Sequence, residues 1–209
     1  MALSGTSRGS GATNTGGQST LVVSPTGTLP AGTMGVLAIA YDNSGTNGAD
    51  PYSSIADSVG NTWTSRNSVN NDPGAANEGV CHRIFTSLLS VQITTSDTIT
   101  VTFSGTTVAR AWTLDQVTAG AGSQPEFSNS QNSGSSGTTP TSTTPSLASG
   151  VMLVASMGAE HNSTITPDSD TTNGSWSTHQ TAGVGTTTAG VEISTQRKII
   201  TGTGTQTYN

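Results

Sequence analysis

The sequence predicts an all-β chain: a jelly-roll-like antiparallel β-sandwich built from two pseudo-repeated halves. Three observations carry this. Thr, Ser, Gly and Asn are abundant, while only 9% of the 209 residues are charged; such a composition suits pleated sheets and turns and leaves few Lys and Glu for helix surfaces. Short apolar or alternating segments recur between turn signals. The residues after position 145 echo those before position 131.

Residues 1–18 are Gly-, Ser- and Thr-rich with little to bury, which predicts a flexible N-terminal arm whose deletion leaves the fold intact but weakens assembly. STLVVS is a first short strand. VLAIAY, Val36 to Tyr41, is a continuous apolar run too short for a typical helix, and reads as a strand buried on both faces. In GVCHRIF, Val80, His82 and Ile84 share one face and Cys81, Arg83 and Phe85 the other. TITVTF alternates strictly, so Ile99, Val101 and Phe103 should point into the core. TVARAWTLDQV is a longer strand with Arg110, Trp112 and Leu114 in one register. The low-complexity stretch 131–145 reads as a linker, and VMLVASM opens the second half.

In the echo, LPAGTMGVLAIAYDN parallels SLASGVMLVASMGAEHN with Gly35 matched to Gly150. Ile55, Asp57 and Trp63 parallel Ile165, Asp168 and Trp176, and Phe103 parallels Tyr208. The expected organisation is one sandwich domain over 19–209, with halves at about 19–130 and 146–209 folded over one core; two small separate domains are the alternative.

Net charge is −6 with six Lys and Arg in all, which disfavours nucleic acid as a partner because phosphate binding needs clustered cations. No apolar run spans a bilayer, so no membrane partner is expected, and the N-terminal residues lack the apolar core of a signal peptide. A single cysteine, Cys81, excludes an intrachain disulfide. It reads as a buried structural residue, because its strand neighbour His82 points to the other face.

Candidate chemistry is sparse, and no cofactor is expected. Asp42, Asn43, Asn47 and Asp50 gather oxygen ligands on a Gly-rich loop that could hold calcium, although the spacing is not that of an EF-hand and turn chemistry accounts for it equally. His82, His161 and His179 show no metal-ligand spacing. Glu160-His161 ends an apolar strand, but no GxSxG accompanies it. Glu78, Glu126, Glu160 and Glu192 could supply the paired carboxylates of a glycosidase, yet only 4% of residues are aromatic. Trp63 and Trp176, being repeat-equivalent, read as core. Trp112 is core or interface, and with Tyr41 and Tyr52 it forms the candidate binding set.

VLAIAYDN, DSVGNTWT, TITVTFSG and ARAWTLDQV together resemble phage-encoded and bacterial surface β-sandwiches over about residues 29–118, with the echo at 147–209. Where that pattern carries an EYSG-like strand end, this chain reads LDQVTAG. The resemblance implies a virion surface component without catalytic residues. The expected function is a non-enzymatic capsid decoration, or cement, protein that binds the major capsid protein and self-associates as a trimer. It would be made in the host cytoplasm and reside on the virion. The alternative is a carbohydrate- or receptor-binding module of a fibre or adhesin, and a hydrolase is a distant third.

Overall fold

A computed structural model of the chain describes residues 3–42, 50–71, 79–119, 141–160, 165–185 and 190–208. All of its regular elements are strands. The first half supplies β1 (Ser4–Thr13), β2 (Gln18–Val23), β3 (Met34–Asp42), β4 (Tyr52–Asp57), β5 (Thr64–Asn71), β6 (Val80–Leu88), β7 (Ile99–Thr107) and β8 (Arg110–Thr118). The second half supplies β9 (Ser142–Thr143), β10 (Met152–Glu160), β11 (Trp176–Val184), β12 (Val191–Ile199) and β13 (Thr207–Tyr208). The sheets run β1-β8-β3-β6-β5, β2-β7-β4, β10-β12-β11 and β13-β9, and every pairing is antiparallel. The all-β sandwich of two repeated halves is therefore what the chain forms.

Among the described residues the halves do not share strands: each pairs only within itself. They meet face to face, with β10 over β3 and β6, β12 over β3 and β8, and β11 over β8 and β1. The five-stranded sheet is thus covered on both sides, and this dictates the sequence of β3. Its large side chains Leu37, Ile39 and Tyr41 join the main core with Phe85, Ile99, Val101 and Phe103. Its small ones, Ala38 and Ala40, meet Ile193 and Val191 of the second half. A strand between two layers needs apolar residues at every position, and small ones where the other half must come close.

The repeat is real, but its alignment shifts. Gly150 is the counterpart of Gly32, not of Gly35: both adopt positive φ, 83° and 79°. Gly32 donates to Leu89 O and Gly150 to Ile200 O, while Leu89 and Ile200 donate back to Thr33 O and Val151 O. Leu29 bridges Ile93 as Leu147 bridges Gly204. The order β10-β12-β11 then repeats β3-β6-β5. The match of Gly35 to Gly150 is three residues out of place because Gly35 lies in an apolar run that looks like the run after Gly150. The role of Gly35 is different: a methyl there would stand 2.8 Å from the Trp63 indole.

Residues 4–13 are not a flexible arm. They form β1, paired with β8 from Ser4↔Thr118 to Thr13↔Arg110 with a bulge between Ser7 and Gly9. The glycines that suggested flexibility are there for close packing. A methyl on Gly11 would stand 2.9 Å from the Trp112 indole nitrogen, and one on Gly5 2.7 Å from the Arg197 side chain. Of the expected linker, 131–140 lies outside the described residues, and Ser142–Thr143 is β9.

The second half is tied down by Lys198, whose side chain is fully buried and whose ammonium binds Asp170 at 2.7 Å and lies 5.5 Å from the centre of the Trp176 ring. Asp170→Ala should lower stability by about 3 kcal/mol, because it leaves a buried ammonium without its counter-charge. Chemical denaturation would measure this, and adding Lys198→Met should restore most of the loss. An unchanged midpoint in the single variant would show that the pair is not needed.

Candidate functional site

Three of the residues selected from the sequence converge on one cluster. Asp50, just before β4, receives two hydrogen bonds from Arg83, from Nε at 2.9 Å and Nη2 at 2.6 Å, and one from the Tyr41 hydroxyl. Arg83 also donates to Ser65 and lies 4.3 Å from the centre of the Tyr52 ring. Tyr52 in turn leans on Phe85 at 5.3 Å. The cluster joins the two sheets of the first half at one end. Tyr41 is completely buried; burial and then the Asp50 hydrogen bond hold its phenol protonated far above the usual range.

This placement revises the binding set. Tyr41 is a core residue and offers no surface to a ligand. Trp112, 8% exposed, belongs to the main core beneath β1 and is not an exposed anchor. Tyr52 is half-buried, with Arg83 over its ring. Of the calcium loop, Asn43 and Asn47 lie outside the described residues, Asp42 is buried, and the Asp50 carboxylate is already engaged by Arg83 and Tyr41. Among the described residues no group of His, Cys, Asp and Glu could hold a metal ion.

The other candidates also resolve into structure. Asp57 accepts from the backbone of Val59 and Asn61, from the Asn61 amide and from the Trp63 indole. Asn61 then clamps the loop after β6 through Ser90 and Val91. DSVGNTWT is therefore a hydrogen-bonded corner. Cys81 is buried and donates to Asn70. Ala159 pairs with Glu192 across the β10–β12 ladder, so Glu160, one residue on, faces the opposite side of the sheet and cannot form a carboxylate pair with it. Glu78, Glu126 and His161 lie outside the described residues.

Sequence reasoning missed the polar seam between the halves. His82 meets Ser156 at 3.0 Å, Ser156 accepts from Thr195, and Thr195 bonds Thr113 at 2.6 Å. Alongside, Asp115 is bound by Arg197 at 2.7 Å and by Gln180 at 2.8 Å, and Gln180 reaches Ser7 of β1. No motif marks these residues, because the paired residues lie 39 to 173 positions apart.

Burial lowers His82 to about 4. Burial also raises Asp115 to about 6 against the opposing pull of Arg197 and Gln180. The two act in opposite senses. The His82 contribution to stability is present above its unfolded value near 6.5 and is lost as pH falls through about 4. The Asp115 contribution is present below 3.8 and is lost as pH rises through about 6. Stability should therefore be nearly flat between these limits. Asp115→Asn should leave the effect of His82 unopposed, so that stability falls by about 3 kcal/mol on acidification. His82→Asn should reverse the slope. Urea midpoints taken across this pH range test both, and parallel profiles for the two variants would contradict the assignment.

A second feature absent from the sequence reading concerns strand edges. β1, β2, β4, β5 and β11 each carry a register irregularity against their neighbour. β10 pairs with β12 in unbroken register over nine residues, and its other side has no strand partner among the described residues.

A comparison with protein-family models, with curated proteins and with solved structures finds no match for the chain.

Proposed function

We propose that this chain is a non-enzymatic structural protein that acts by assembly, as a capsid decoration protein on a virion shell. One observation carries the assembly reading: the side chains best suited to chemistry are engaged in holding layers together. Asp50 and Arg83 tie sheet to sheet, Asp57 and Asn61 fix a corner, and His82, Asp115 and Arg197 join the halves. Such a stack presents a rigid scaffold to a partner surface. The shell setting rests on the resemblance carried by VLAIAYDN, DSVGNTWT and ARAWTLDQV.

The purified chain should scatter light as a closed oligomer, a trimer fitting a symmetric shell, and should co-sediment at fixed stoichiometry with shells of the major capsid protein. A chain that stays monomeric and remains in the supernatant would overturn the reading. The sugar-binding alternative loses Tyr41 and Trp112 as stacking platforms, since both lie in the core.

A further inference from the structure

We infer that the outer edge of β10 is a docking edge, taking an extended segment of a partner chain as an added antiparallel strand in the place that β8 occupies beside β3. This deepens the assembly reading and rests on it.

Among the described residues six strands border the sheets of three or more strands: β1, β5, β2, β4, β10 and β11. An open edge presents unpaired amides and carbonyls to any other strand, and proteins blunt such edges with bulges, charges or proline. Five of the six carry an irregularity. β10 carries none. Its sequence, MLVASMGAE, has no proline and no charge before the terminal Glu160. It is a largely apolar edge of nine residues in regular register, the kind of edge that β-strand addition uses.

The repeat identifies a place that no described strand occupies. β3 is flanked by β6 on one side and β8 on the other. Its counterpart β10 is flanked by β12, the counterpart of β6, and by no described strand on the β8 side. That place also has a floor. β10 lies over β3 and β6, so the next position in its sheet overlies β6 and β5. Val69 pairs with His82 and Asn67 with Ile84, so Val69 and Ile84 face the same layer as His82. Both are half-buried, and Leu88, on the same face two pairs further on, is 58% exposed. An added strand would cover this shelf, where Val69, Ile84 and Leu88 stand beside Asn67 and an Arg66 side chain bonded to Thr86, with every second side chain.

The shelf also selects the occupant. An antiparallel second copy of β10 would bring its own β3 and β6 beneath it, into the space that β6 and β5 already fill. A single extended segment has no such layer under it. The partner is therefore an extended segment of another protein with apolar residues at alternate positions, as Trp112 and Leu114 stand in β8.

The probe is a capped peptide of the β8 sequence, residues 109–118, added to the full chain. Hydrogen exchange should slow by at least about tenfold at alternate amides of β10, and only there, because every second N–H of an edge strand points outward. Two further peptides, N-methylated on one or the other set of alternate residues, leave the protein untouched. One should bind as the parent does, and the other should lose at least about tenfold in affinity with its backbone hydrogen bonds.

Absence of protection at millimolar peptide overturns the proposal, as does an equal loss for both methylated peptides. Protection of β10 that appears without peptide and grows with protein concentration overturns it in favour of a second copy. A chain that joins shells without taking the peptide loses the strand site and keeps the assembly reading. A chain that takes the peptide and never joins a shell does the reverse.

Discussion

Deletion of residues 1–13 is expected to destabilise the protein by on the order of 5 kcal/mol, comparable with the whole stability of a modest domain. β1 is paired with β8 along its length, and each buried backbone hydrogen bond contributes roughly 1 kcal/mol net. The loss extends past the ladder. Gly9 and Gly11 lie against the Trp112 indole, so removing them exposes a core side chain. Ser7 bonds Gln180 and Arg8 bonds Gln116, and β1 packs on β11, so the first half also loosens its hold on the second. Urea denaturation would show a lowered midpoint, with Trp112 emission moving toward that of solvent-exposed indole. A truncated chain with an unchanged midpoint would mean that β1 is dispensable, as the composition of residues 1–18 suggests.

Asp57→Ala should cost about 4 kcal/mol, since charge-assisted hydrogen bonds contribute more than neutral ones and four converge on this carboxylate. The Trp63 indole N–H, on a ring only 9% exposed, would lose its acceptor. Asn61 would lose the group that orients its amide toward Ser90 and Val91. Asp57→Asn should do nearly as badly, because every neighbour of the carboxylate is a donor and the new amide brings two more. Thermal melts of the two variants provide the measurement. An Asn variant close to the native protein would show that shape, not acceptor capacity, holds the corner.

The strand pattern of the first half was legible because burial on two faces leaves a plain trace. VLAIAY became β3, and Ile99, Val101 and Phe103 entered the core. The faces assigned to Val80, His82 and Ile84 on one side and Cys81 and Phe85 on the other are those observed. What composition misread was glycine. In residues 4–13 it meets bulky side chains of other strands, and only three dimensions distinguish that use from flexibility. The site residues were misread for a related reason. An aromatic at an interface and an aromatic in a core leave the same mark in a strand, and Tyr41 and Trp112 turned inward. The Asp115–Arg197 and His82–Ser156 contacts arise from stacking two halves, an event that no local window contains. The smooth edge of β10 becomes visible only when register is known for all the edge strands.

The pairing of β1 with β8 has a consequence for the order of events on the ribosome. Ser4 meets Thr118 and Thr13 meets Arg110, so β1 cannot find its partner until the polypeptide has grown by roughly a hundred further residues. At usual rates of translation that is a wait on the order of ten seconds. During it the Gly- and Ser-rich β1 segment has no large apolar side chain to draw wrong partners, while β3 and β6 can already zip together. The composition that resembles a disordered tail is thus suited to a strand that must wait before it covers Trp112.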